Sequence, residues 1–235
     1  MNKLFIVAEK ELNGIIRTRS QILVGIFFAM WFSVMTAPVI KTAEKSLVFD
    51  QFNNLLFYFV LMLGIFMAYM FSGKVFFNEK REGIIETLLC TPLSVRRIWA
   101  GKVLGVTIPA YLIALLAAAL ITLIANVFSA TILLPSPAVF LHIVLVVPAF
   151  IAVAVGLLGF GHLLLGMREN QILNISIFAA IFLAFSLANN NVVSGGYVVS
   201  GVMVGGMLIV AVLLLALISY LTRYLSKERI TTTIA

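Results

Sequence analysis

The 235-residue sequence predicts an all-α integral membrane protein. It would have six transmembrane helices, an N-terminal amphipathic helix in the membrane interface, and a bent, charged segment between the second and third spans. Three observations predict this. The first is composition: 63% of residues are hydrophobic and 11% charged, with mean hydropathy +1.16, whereas a soluble domain carries about 25% charged residues. The second is run length. The apolar stretches last about 18 to 28 residues, enough to cross a hydrocarbon core as helices, and they lack the alternating segments of about 10 residues that mark barrel strands. The third is where the basic residues fall, which is beside the apolar runs. The net charge of +7 therefore belongs to membrane topology and calls for no nucleic-acid partner. Cys90 is the only cysteine, so no internal disulfide forms.

The chain reads as a single transmembrane domain over 1–235. Residues 1–20 come first. Leu4, Phe5, Ala8, Leu12, Ile15 and Ile16 recur at helical spacing, with Lys3, Glu9, Lys10, Asn13 and Arg17 largely between them. A helix so patterned, with low net hydrophobicity, lies in the interface and does not cross it. A cleaved signal peptide does not fit, because Glu9 and Glu11 precede an apolar run too long for an h-region. Spans are then expected at 21–40, 55–77, 103–128, 138–165, 171–188 and 200–222, each near the roughly 20 residues that cross a core of about 30 Å.

Orientation follows from charge. With the N-terminus cytoplasmic, 14 of the 16 Lys and Arg fall on the inner side, and only Lys41 and Lys45 fall outside. The positive-inside rule thus puts both termini in the cytoplasm of a multi-pass plasma (inner) membrane protein. The outer loop at 129–137 carries Pro135 and Pro137, which suit a turn. The one at 189–199 is brief, polar and glycine-containing.

The segment 78–102, NEKREGIIETLLCTPLSVRRIWAGK, is the longest charged interval between apolar runs. Asn78 is placed to cap a helix starting at Glu79. Ile84, Ile85, Leu88 and Leu89 make an apolar face, with Glu82 and Glu86 at i, i+4. Thr91-Pro92 interrupts that helix, because the residue before proline is pushed out of the α region. Ser94 then caps a second helix through Arg96, Arg97 and Trp99 into the third span, with Trp99 and Lys102 at headgroup depth. A mere topology loop needs cations, not a bent amphipathic helix.

This run, E-K-R-E-G-I-I-E-T-L-L-C-T-P-L-S followed by R-R-I-W-A-G-K, resembles the ABC-2 type permeases, the transmembrane subunits of ATP-binding cassette exporters. The resemblance covers the six-span plan and is specific around Glu82 to Lys102. It implies that the helix around Glu82–Leu89 is a cytoplasmic coupling helix docking on a separate ATPase. Glu82, Gly83, Glu86, Thr87, Leu88, Leu89, Pro92, Leu93, Arg96 and Arg97 would make that contact, with Glu86 and the paired leucines entering a cleft on the ATPase. It also implies two permease copies, as a homodimer or heterodimer, outward transport, and membrane lipid as surroundings. The brevity of 189–199 departs from family members that carry longer re-entrant helices there.

The chain holds no G-x-x-x-x-G-K-[ST] phosphate loop and no His-Glu-x-x-His pair. It is not expected to be an enzyme or to hold a cofactor or metal. ATP and Mg would be bound by the partner. His142 and His162 stand 20 residues apart on one predicted helix, roughly 30 Å, and read as hydrogen-bonded membrane histidines. Aromatic residues recur along the first, second and fifth spans. The resemblance implies that these spans border the substrate route, so Phe27, Trp31, Tyr58, Phe66, Asn174, Phe178 and Phe182 would be the substrate path, suited to an amphipathic or lipid-like cargo, although aromatic stripes on membrane helices ordinarily face lipid. Gly101-x-x-x-Gly105 and Gly201-x-x-x-Gly205 allow close helix approach, within a chain or between chains. Two other classes remain to weigh. A self-sufficient secondary carrier or channel normally places charges at mid-membrane, where this chain has almost none. A membrane-embedded enzyme would need a clustered His/Asp/Glu set.

Overall fold

A computed structural model describes residues 3–42, 47–90, 94–129, 132–193 and 198–224. At Lys3, Glu86, Leu88, Leu89, Met167, Phe185 and 188–193 the description is of the backbone only. The described residues form helices and no strand. In order they are α1 (Lys3–Arg17), α2 (Arg19–Thr42), α3 (Val48–Arg81), α4 (Ile84–Leu89), α5 (Val95–Ser129), α6 (Pro137–Leu164), α7 (Met167–Val193) and α8 (Gly201–Tyr224). Five of these, α2, α3, α5, α6 and α8, are long and apolar enough to cross a membrane. The 27-residue α7 runs through the stretch expected to be the fifth span.

The long helix α5 is the hub. It packs against α1, α2, α3 and α6. Its buried face is rich in small residues, among them Gly101, Gly105, Ala110, Ala114, Ala117 and Ala125. In a bilayer no hydrophobic force drives helices together, so association depends on close approach, and small side chains permit it. Gly101 and Gly105 form the groove in which α1 lies. A Cβ at Gly101 would meet Val7 Cβ at 2.7 Å, and one at Gly105 would meet the Ala8 carbonyl and Glu11 Cβ, both at 2.7 Å. The first small-residue pair therefore serves within the chain, whereas Gly201 and Gly205 have nothing within 4 Å. α8 leans on α6, and α7 packs chiefly on α3.

Two helices run beyond their apolar stretches. Asn78 does not start a new helix: its backbone is helical, its side chain makes no capping bond, and α3 continues through it to Arg81. Similarly, α5 begins at Val95, well before its apolar run. Ser94 does cap it, the Arg97 amide donating to Ser94 Oγ at 3.4 Å. The charged turns stay helical because protein covers them: α1 lies across these inner ends and supplies partners for their charges.

Two wide π-type turns interrupt the helices, Gly73–Asn78 in α3 and His142–Val146 in α6. The second sits just before Pro148. Proline lacks an N–H and its ring crowds the carbonyl four residues back, here Val144 inside the wide turn, so the turn accommodates the proline.

Candidate functional site

One end of the bundle is built around the end of α3. Gly83, with φ +71°, stops the helix in the left-handed region that costs an L-residue about 1–2 kcal/mol. α4 follows at once. Ile85 is buried in the core and fixes α4 to the bundle, while Glu82, Ile84, Thr87 and Cys90 are exposed. The expected face of Ile84, Ile85, Leu88 and Leu89 is thus divided at its start, Ile85 inward and Ile84 outward. Glu86, Leu88 and Leu89 lie outside the described side chains, and Thr91, Pro92 and Leu93 outside the described residues. Arg97 is exposed, whereas Arg96 donates to Ser219 Oγ on α8 at 2.8 Å.

Beneath α4 lies a cluster of ionised side chains. Lys102 Nζ is 2.8 Å from Glu11 Oε1 on α1 and 2.5 Å from Glu79 Oε2 on α3, and donates to the Val75 carbonyl at 3.2 Å. Lys102 and Glu11 are buried. Half-exposed Lys10 approaches both carboxylates, at 3.5 Å from Glu11 and 3.4 Å from Glu79. Burial works against the Lys10 charge, but Glu11 and Glu79 outweigh it and hold its pKa above the usual lysine value. Nearby, Lys74 donates to Thr18 Oγ1 and to the Gly14 carbonyl.

The neighbouring Lys80 has no solvent exposure. Its Nζ donates to the carbonyls of His162 (3.3 Å), Leu163 (3.4 Å) and Leu165 (2.6 Å) at the end of α6. Those carbonyls lack helical partners and carry the negative end of the helix dipole. Asn170 of α7 closes the same elbow, donating to the His162 and Leu165 carbonyls at 3.1 and 3.0 Å.

Higher in the bundle, Phe28, Trp31, Phe32, Met62, Phe66, Phe178, Ile181 and Phe182 line a cleft of about 300 Å³ between α2, α3 and α7. Among the described residues, no ionisable side chain lines it. Phe27 stacks on Trp31 with centroids 6.1 Å apart, and Phe28 meets Phe66 at 4.8 Å. The Tyr69 hydroxyl donates to the Asn174 carbonyl at 3.3 Å and holds α7 to α3.

Compared with protein families, the chain matches the model of the ABC-2 family transporter proteins over residues 5–200. The chain belongs to this family. It is therefore a membrane transport component. Among curated proteins and among solved structures, nothing matches it.

In this ABC-2 transporter the residues expected to form a substrate path come together only in part. Trp31, Phe66, Phe178 and Phe182 line the cleft and Phe27 stacks at its edge. Tyr58 packs instead against Phe57, at 5.3 Å, and Asn174 reaches the cleft's surroundings through its backbone. Ser176 and Ser186 on α7 are exposed. Trp99 and Lys102 do not face lipid, because both side chains are buried within the bundle. Trp99 is buried with Nε1 3.4 Å from the Gly156 carbonyl, and Lys102 is held by two carboxylates. Lys102 is enclosed because α1 lies in the groove at Gly101 and Gly105 and brings Glu11 to it, while Trp99 turns towards α6.

His142 Nε2 faces the Phe57 carbonyl at 3.2 Å, and its ring stacks on Phe57. His162 Nδ1 faces Asn170 Oδ1 at 3.1 Å. Among the described residues, no group of three or more His, Cys, Asp or Glu is arranged to hold a metal. The Glu11–Lys102–Glu79 cluster escaped the sequence reading. Its one signal was Glu11, a charge on the arc of α1 that also holds Leu4 and Ile15.

Proposed function

We propose that this protein is the permease half of an exporter driven by ATP that a separate cytoplasmic ATPase hydrolyses with Mg. In this reading α7 is the fifth of six spans, both termini are cytoplasmic in the plasma (inner) membrane, and two copies assemble. α4 is the coupling helix. The observation that carries the reading is its placement: a six-residue helix pinned inward by Ile85, joined to α3 by the Glu82-Gly83 turn, and presenting Thr87 outward. A rigid contact of this kind transmits a rigid-body shift, which a flexible loop does not. The cargo is amphipathic or lipid-like, its apolar part entering the aromatic cleft and its polar part staying outside, since the lining offers no charge.

Co-purification with the cognate ATPase tests the docking. Glu86→Ala and the pair Leu88→Asp/Leu89→Asp are expected to lose the ATPase while the permease stays folded. Unchanged ATPase binding in both would refute α4 as the docking helix. For the cleft, Phe178→Asp is expected to abolish ATPase stimulation by a long-chain amphiphile and to leave basal hydrolysis intact.

A further inference from the structure

We propose that Glu79 and Lys80 form a two-way clamp tying α4 to both halves of the bundle, which makes them positioning residues for the transport cycle. The proposal rests on the reading that α4 receives the ATPase. Adjacent residues on a helix point about 100° apart, and these two point at different partners. Glu79 reaches Lys102 on α5 and Lys10 on α1. Lys80 reaches the carbonyls that end α6, at the elbow Asn170 ties to α7. One turn of α3 thus contacts α1 and α5 through one residue, and the α6–α7 elbow through the next.

Several features distinguish a clamp from two charges that happen to find partners. A lysine that merely needed to place its charge would extend along the helix to water. Lys80 instead has no exposure and takes carbonyl oxygens. The register is also set locally: the wide turn Gly73–Asn78 ends immediately before Glu79. Such a turn holds an extra residue. Without it the pair would be rotated by about 100° and face neither partner. The connection to α4 is short, because only Glu82 and Gly83 separate Arg81 from Ile84. Finally, breaking the largely buried Glu79–Lys102 pair is strongly unfavourable, and so is stripping an unexposed ammonium of its carbonyls, so α3 carries these partners with it when α4 moves.

The test uses the full chain bound to its ATPase in nanodiscs, in a Cys90→Ser, Ile132→Cys background. Ile132, 87% exposed in the α5–α6 loop, reports the far end of the bundle. The rate at which a bulky maleimide modifies position 132 is compared without nucleotide and with ATP plus vanadate. The parent is expected to show a nucleotide-dependent rate. Lys80→Met and Glu79→Gln are each expected to lose that difference while retaining ATPase binding and ATP hydrolysis, and Lys80→Arg to keep it. If Lys80→Met does not fold, the near-isosteric Glu79→Gln decides. A difference that persists in Glu79→Gln and in any folded Lys80→Met overturns the clamp and leaves the docking reading standing, as does an ATPase-bound parent with no nucleotide response. A parent that binds no ATPase overturns the docking reading and the clamp with it.

Discussion

Lys102 is the residue on which the inner face turns. It is 2% exposed and holds Glu11 of α1 and Glu79 of α3. Lys102→Met leaves the buried Glu11 carboxylate with Lys10, 3.5 Å away, as its remaining close ion-pair partner among the described residues. Breaking a buried pair costs about 3–5 kcal/mol, and the remaining Lys10 contact places the loss near the lower end. A fall in the thermal unfolding midpoint in detergent checks it. Lys10→Met is the contrast: its side chain is 51% exposed, and exposed pairs contribute about 0–1 kcal/mol, so the midpoint should scarcely move. Gly83→Ala strains the one left-handed turn, by about 1–2 kcal/mol. Its effect should appear as weakened ATPase co-purification, because that turn aims α4.

α1 is more than a tail resting on the membrane. It has two faces. Val7, Ala8, Glu11 and Ile15 are buried in the groove of α5, while Phe5 and Ile16 are 60% and 52% exposed, as suits a helix that also touches acyl chains. The groove exists because positions 101 and 105 lack side chains. Gly105→Leu would drive a Cβ to 2.7 Å from Ala8 O and Glu11 Cβ. Overpacking costs about 1–3 kcal/mol and should release α1, which rapid tryptic cleavage after Lys10 and Arg17 would reveal. The same change at Gly205, where nothing lies within 4 Å, should leave the unfolding midpoint within the roughly ±0.5 kcal/mol of a surface substitution. Resistance of α1 to trypsin in Gly105→Leu would refute the groove.

At the scale of the molecule, two properties are open to measurement with a single thiol. Cys90 is exposed beside α4. An impermeant maleimide should label it in inside-out vesicles and not in intact cells; the reverse would invert the topology. The second property is assembly. α7 leans chiefly on α3 and leaves Ile175 71% and Phe182 65% exposed, beside the aromatic cleft. In a Cys90→Ser background, Phe182→Cys should give a disulfide-linked dimer under mild oxidation, whereas Val202→Cys on α8 should not. Equal cross-linking at both positions would argue against α7 as the contact between copies.

The amino-acid order alone determined that this chain lives in a bilayer, where its apolar runs lie and that it resembles the ABC-2 permeases, because run length, charge placement and a short motif are properties of neighbouring residues. Helical spacing alone put Phe178 and Phe182 on one face of α7, since such side chains share a face whatever surrounds them; joining them to Trp31 and Phe66 rested on the family resemblance. The fates of the inner charges were not legible. Glu11 and Lys102 are 91 residues apart in sequence, and nothing within either neighbourhood says that α1 will lie in the groove of α5 and turn an apparent headgroup lysine into a buried partner. The use of Gly101 and Gly105, the continuation of α3 through Asn78 and the double hold of Glu79 and Lys80 follow from that same placement. Only tertiary structure decides them, because a buried charge is stabilised by what packing brings beside it and not by the residues on either side.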